Sequence, residues 1–137
     1  MENDQTEELR RPGHVFTAGH RTQMILKTFN VEAGFPSLDA ARKLVIEEIR
    51  TAKRQGVRVL KIIHGYGSSG KGGTLNFGLR KSFALRKKEG VIRDFIAGED
   101  FSIFNPTVLI LLETVAELRG DPDLNATNEG VTVLWLK

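Results

Sequence analysis

Residues 57–73 read Val57-Arg-Val-Leu-Lys-Ile-Ile-His64-Gly65-Tyr66-Gly67-Ser68-Ser69-Gly70-Lys71-Gly72-Gly73, and their reading decides the fold. A run of aliphatic and β-branched residues that stops at glycine is a strand entering a loop. Beyond it, Leu75, Leu79 and Phe83 recur at four-residue intervals, Thr74 stands where a cap would, and Gly90 supplies a stop, so a helix follows. Upstream, Met24 to Val31 is a strand, residues 32–36 are a loop closed by Pro36, and Ser37 can cap a second helix. On that helix Leu38, Ala41, Leu44, Val45, Ile49 and Ala52 share one face, and Gly56 ends it. Downstream, Val91 to Ile96 is a strand. Pro106 opens a third helix expected from Thr107 to Leu118, apolar on most sides and therefore buried, and residues 120–129 form a loop. Val131 to Leu136 is a last strand. The order β-α-β-α-β-(α)-β predicts an α/β fold, a two-layer sandwich or small wound sheet, with parallel strands joined by right-handed crossovers.

The 137 residues amount to about one domain, and 40% apolar with 27% charged residues is ordinary for a globular chain. No cysteine is present, which excludes disulfides, thiolate zinc sites and a cysteine nucleophile. The polar, acidic start lacks the apolar core of a signal peptide, and Val108 to Leu112 is far too short to span a membrane. The reading is a cytoplasmic protein with a flexible tail over residues 1–20 and one domain over 21–137. His14 and His20 have no companions at metal spacing, Trp135 belongs to the core, and Asp121 and Asp123 form a turn around Pro122 or a weak cation site.

A net charge of +3 conceals an asymmetry. Residues 39–94 carry fourteen Lys and Arg against five Asp and Glu, whereas residues 95–137 carry two against seven. A basic centre suits a polyanionic partner, and the alternative is that these charges only solvate two helix faces.

The loop itself allows three readings. Glycines let backbone N–H groups approach a phosphate, and a helix N-terminus adds partial positive charge. Gly65 to Lys71 spells G-x-x-x-x-G-K, but Gly72 stands where a nucleotide-hydrolysing loop needs a magnesium-binding hydroxyl, which argues against that activity. His64, at the end of a strand beside the loop, is placed for acid–base work or phosphate contact. A plain turn would not need five glycines in ten residues.

The tetrad His64-Gly65-Tyr66-Gly67, its preceding strand and amphipathic helix, and the closing strand from Gly130 to Leu136 together resemble the Smr (small MutS-related) domain. The likeness spans roughly residues 24–137. It implies a compact α/β sandwich similar to the C-terminal domain of a bacterial translation initiation factor, and nucleic-acid binding with DNA nicking or RNA cleavage in some members. Family members usually carry L-D-x-H-G at the end of the first strand. Here Asn30 stands for the aspartate and Glu32 for the histidine. An amide is no general base, whereas Glu32 could act as one or hold a divalent metal.

Three functions follow. In the first, a nucleic-acid-binding domain, His64, Gly65, Tyr66, Gly67, Ser68, Ser69, Gly70 and Lys71 form the phosphate-binding loop. Tyr66 stacks on an unpaired base, and helix residues including Arg80 and Lys81 track the backbone of RNA or DNA. In the second, an endonuclease, His64 is the acid or base, Lys71 stabilises the charged transition state and Glu32 replaces the missing partner. No cofactor is expected in the first, and a divalent metal such as magnesium is compatible with the second. The third is a protein-interaction or regulatory module without nucleic-acid activity, docking through the acidic C-terminal third.

Overall fold

The computed structural model describes residues 24–65 and 71–137, with side chains from residue 75 onward in the second stretch. The tail expected over residues 1–20 lies outside the described residues, as do Tyr66, Gly67, Ser68, Ser69 and Gly70. Among the described residues the order is β1 (Leu26–Asn30), α1 (Leu38–Arg54), β2 (Val59–Ile63), α2 (Lys71–Lys88), β3 (Ile92–Ala97), α3 (Pro106–Thr114) and β4 (Val131–Leu136). Short 3₁₀ turns follow β3 at Gly98–Asp100 and α3 at Ala116–Gly120.

Local signals set the helix ends. The Ser37 hydroxyl accepts the Ala40 N–H at 3.1 Å, and Gly56 takes φ +82 just past the end of α1. Gly90 does the same after α2 at φ +79. Two expectations are corrected. Helix α2 begins at Lys71, so Thr74 lies inside its first turn rather than capping it. Helix α3 stops at Thr114, its last turns giving way to 3₁₀ geometry, and Leu109 and Ile110 on it are exposed rather than buried.

The sheet order is β1-β2-β4-β3. Strands β1 and β2 pair in parallel across the α1 crossover, while β4 runs antiparallel to both β2 and β3 and separates them. Side chains alternate along a strand, so β4 serves two cores. Leu134 and Leu136 meet Leu60, Ile62, Ala41, Val45, Ile49, Leu79 and Phe83 on the α1/α2 side. Val133 and Trp135 meet Val59, Phe101, Val108, Leu111 and Leu118 on the other. Every residue of β4 is buried, as expected for a central strand covered on both faces. The α/β sandwich of the expected order is therefore present, and the α3 segment adds a further layer across its second face.

Gly98 marks the tightest approach, where the β3 exit passes beneath the turn entering β4. A Cβ there would overlap the Asn128 carbonyl and lie 2.7 Å from that of Val131, both backbone atoms that cannot swing away. Gly120 has nothing within 4 Å. Gly98→Ala is expected to lower stability by roughly 1–3 kcal/mol through overpacking, and Gly120→Ala to leave it nearly unchanged. Urea midpoints of the two variants check this, and equal midpoints would contradict the packing described.

Candidate nucleic-acid interface

Parallel pairing brings the ends of β1 and β2 together, with Asn30 opposite Ile63 and the Val31 N–H on the Ile63 carbonyl at 3.0 Å. Asn30 does here what an aspartate oxygen would do for the backbone. Its Oδ1 accepts the N–H groups of Glu32 at 2.9 Å and Ala33 at 3.2 Å, an Asx turn that ends the strand. The turn sends the Glu32 carboxylate over Gly65. A Cβ on Gly65 would overlap Glu32 Oε2 and lie 2.7 Å from Cδ, and Gly65 also holds φ +85. Two of the sequence-expected positions, Glu32 and Gly65, are thus in contact, next to His64.

His64 occupies a different setting from the solvent-facing acid or base expected of it. It is fully buried. By strand parity it points to the α1/α2 side with Leu60, Ile62 and Thr132. Its N–H and that of Gly65 both donate to the Gly130 carbonyl, at 2.9 and 3.0 Å. Ring Nδ1 faces the Gly65 carbonyl at 3.1 Å, and Nε2 faces Thr132 Oγ1 at 2.8 Å. A carbonyl can only accept, so Nδ1 carries the proton and Nε2 accepts the threonine hydroxyl. Burial above all, with the Arg80 guanidinium adding to it, pushes the imidazole down to about 4 from 6.5, against the opposing pull of the Gly65 carbonyl and Glu99. At neutral pH the ring is neutral and both its nitrogens are engaged.

Arg80 also departs from its expected place on an outer face. Nε donates to Thr132 Oγ1 at 3.1 Å, the two terminal nitrogens hold both oxygens of Glu99 at 2.8 and 2.9 Å, and Nη2 reaches the carbonyls of Val131 and Glu129 at 3.0 and 3.3 Å. A guanidinium so committed is a support for the site and has little left for phosphate. Burial alone would raise Glu99, but the hydrogen bonds from Arg80 outweigh it and hold the carboxyl below its ordinary value. Nothing in the sequence spacing marks Glu99 and Thr132 as its partners.

The aspartate turn proves to be a second internal anchor. Lys61 donates to Asp121 at 3.0 and 3.1 Å and to Asp123 at 2.6 Å, so an ammonium occupies the place considered for a cation. Burial opposes the Lys61 charge, and the two carboxylates more than offset it, leaving its pKa raised. Asn128 links Asp123 to the Gly130 N–H, connecting this anchor to the strand that carries Thr132. No cluster of three or more His, Asp or Glu that could hold a metal occurs among the described residues.

Six of the cations outside these anchors gather between α1 and α2. A hollow of about 590 Å³ is lined by Arg50, Lys53, Arg54 and Arg86, with Glu89 and the apolar Ile46, Ile49 and Val91. A second, of about 320 Å³, is lined by Arg42, Lys81, Ser82, Leu85 and Arg86. Arg86 belongs to both, so they form one groove with six cations and a single carboxylate on its walls. The pairs that engage these groups are local. Arg50 with Glu47 at 2.7 Å and Arg42 with Asp39 at 3.9 Å are exposed and yield readily to a competing anion. Arg86 with Glu89 at 3.1 Å is half-covered, and Lys53 donates to the Val91 carbonyl at 2.9 Å. Lys81 is exposed as expected, and Lys71 opens α2 at the loop.

No family model matches the sequence, and no curated protein does. Among solved structures the fold is similar to the Smr domain of Thermus thermophilus MutS2, with a TM-score of 0.51 at 18% identity over 81% of this chain and 98% of that one. The likeness is one of fold: a mixed four-stranded sheet with helices, of Smr type. No helix among the described residues is long and apolar enough to cross a membrane.

The buried imidazole sets a pH dependence. His64 binds a proton near 6.5 when unfolded and only near 4 when folded. Between those values the unfolded state holds more protons, so stability is complete above about pH 6.5 and declines as pH falls toward 4, by about 3 kcal/mol in all. Glu99 and Asp123, both lowered, add their losses only below their own ordinary carboxylate range. Urea unfolding between pH 7 and 4.5 is expected to show this decline in the native chain and a flatter profile in His64→Gln. Parallel profiles would contradict a buried neutral imidazole.

Proposed function

We propose that this chain is a nucleic-acid-binding domain of Smr-like fold that holds the phosphate backbone in the groove between α1 and α2. The observation that carries the reading is that groove, with six cations against one carboxylate on a scaffold whose other buried charges are paired internally. Phosphates replacing weak surface pairs release counterions, and that release drives binding. Along the groove Arg42 and Lys81 lie nearer the starts of the two helices, and Arg50, Lys53, Arg54 and Arg86 lie toward their ends.

Binding without strand cleavage by His64 is the form of this function that the geometry favours. Proton transfer at neutral pH would require the imidazole to leave Thr132 and the Gly65 carbonyl and to regain a pKa near neutrality. In this reading His64 is a positioning residue. It fixes the base of the glycine loop to β4 through Gly130 and Thr132, while Glu32 packs over Gly65 from the other side.

Anisotropy of labelled RNA and DNA oligonucleotides tests the proposal. Affinity is expected to fall with salt at a log–log slope of about −3 to −4, as for roughly five phosphates on a single strand. Joint Arg50→Glu and Arg54→Glu substitution is expected to weaken binding at least about tenfold and make the slope shallower by about 1.4. Absence of binding at low salt would overturn the reading in favour of a protein-docking module. Magnesium-dependent cleavage lost in His64→Ala would overturn the positioning role.

A further inference from the structure

Two phenylalanines stand out of the surface at the end of the sheet where the glycine loop begins. Phe35 is 73% exposed and Phe77 is 67% exposed. Neither contributes to the two cores, and each is held outward by its backbone or a neighbour. Phe35 follows Gly34 with φ +50, a left-handed conformation that a bulky side chain enters only at a cost in free energy, and its N–H is tied to the Glu32 carbonyl at 3.0 Å. Phe77 lies one helical turn before Lys81, whose Nζ sits 5.0 Å from the ring centroid.

The topology puts both rings on one rim. Loop 31–37 leaves β1 and the glycine loop leaves β2 at the same end, because the two strands are parallel and in register from Leu26 opposite Val59 to Asn30 opposite Ile63. Helix α2 is pressed there against the start of α1. A Cβ on Gly78 would overlap one methyl of Leu38 and lie 2.6 Å from the other, so Phe77 is fixed beside the helix that starts three residues after Phe35. Lys81 and Arg42 line the mouth of the cationic groove at this rim.

We infer that Phe35 and Phe77 are stacking platforms for unpaired bases, and that the partner is therefore a single-stranded nucleic acid whose phosphates lie in the groove. The inference rests on the proposed nucleic-acid reading and gives it a substrate class. Exposed aromatic faces beside a cationic track fit single strands, since each base offers a π-face once it is free of a duplex. Paired bases are stacked on one another and present no face to the rings. A purely apolar docking partner would gain nothing from the Lys81 and Arg42 charges beside the rings, whereas a phosphate chain complements them.

Phe35→Ala and Phe77→Ala, with the two Phe→Leu variants as apolar controls, separate these possibilities in anisotropy titrations against a single-stranded and a duplex oligonucleotide. Both rings are exposed, so unchanged urea midpoints confirm folding. Each alanine variant is expected to lose roughly tenfold or more in single-strand affinity, with the salt slope and duplex affinity unchanged and leucine restoring only a minor part. Single-strand affinity equal to the native chain at the same salt slope would overturn stacking while leaving the groove reading intact. Equal losses on duplex, or full restoration by leucine, would also overturn it. Native protein that binds neither oligonucleotide at low salt would remove the underlying reading itself.

Discussion

The bidentate pairing of Arg80 with Glu99 is the constraint on which the functional end of this molecule depends. Helix α2, the exit of β3 and the start of β4 converge there, and the guanidinium joins them through Glu99, Thr132, Val131 and Glu129. A partly buried cation is tolerated only when its donors find partners, and five hydrogen bonds engage all three guanidinium nitrogens. Thr132 then passes the arrangement on. Because its oxygen accepts from Arg80, its proton is directed to His64 Nε2, which fixes the tautomer of the ring and holds it against the Gly65 carbonyl. The chain from carboxylate to guanidinium to hydroxyl to imidazole explains why a histidine at a strand end, in a position suited to catalysis, is neutral and enclosed.

The same pairing clarifies the charge distribution. The acidic C-terminal third does not shield the basic centre as a whole. It takes Lys61 through Asp121 and Asp123 and Arg80 through Glu99, both on the inner side of the fold. Six arginines and lysines of α1 and α2 have no partner in that third and line the groove instead. Internal anchoring by some cations and solvent exposure of others are two uses of one basic segment, separated by strand parity and helix face.

Much of the fold was legible because its signals are local. Ser37, Gly56 and Gly90 act on their own helix ends, and the aliphatic runs of β2 and β4 need no distant partner to be seen as strands. The insertion of β4 between β2 and β3 was not legible, since it depends on pairing between segments some seventy residues apart, as Ile62 with Thr132 shows. The shortening of α3 escaped for a similar reason: its apolar sequence suits a buried helix, but only one side finds the sheet, and Leu109 and Ile110 are left outside. At the site, the meeting of Glu32 with Gly65 could be anticipated from two adjacent parallel strand ends. The burial of His64 could not, because it requires Thr132 and Arg80 from elsewhere in the chain. Phe77 lies off the Leu75, Leu79, Phe83 stripe, so its exposure had a signal in the spacing, whereas that of Phe35 follows from a backbone turn that the spacing does not reveal.

Backbone amide chemical-shift mapping during titration with a single-stranded oligonucleotide tests the central claim most directly, because it locates the contact without presuming which residue matters. Perturbations are expected along the facing sides of α1 and α2, from Arg42 and Lys81 to Lys53 and Arg86, and at the loop ends near Phe35 and Gly65. Perturbations concentrated instead at the exposed apolar residues Ile103, Phe104, Leu109 and Ile110, or none at low salt, would contradict it.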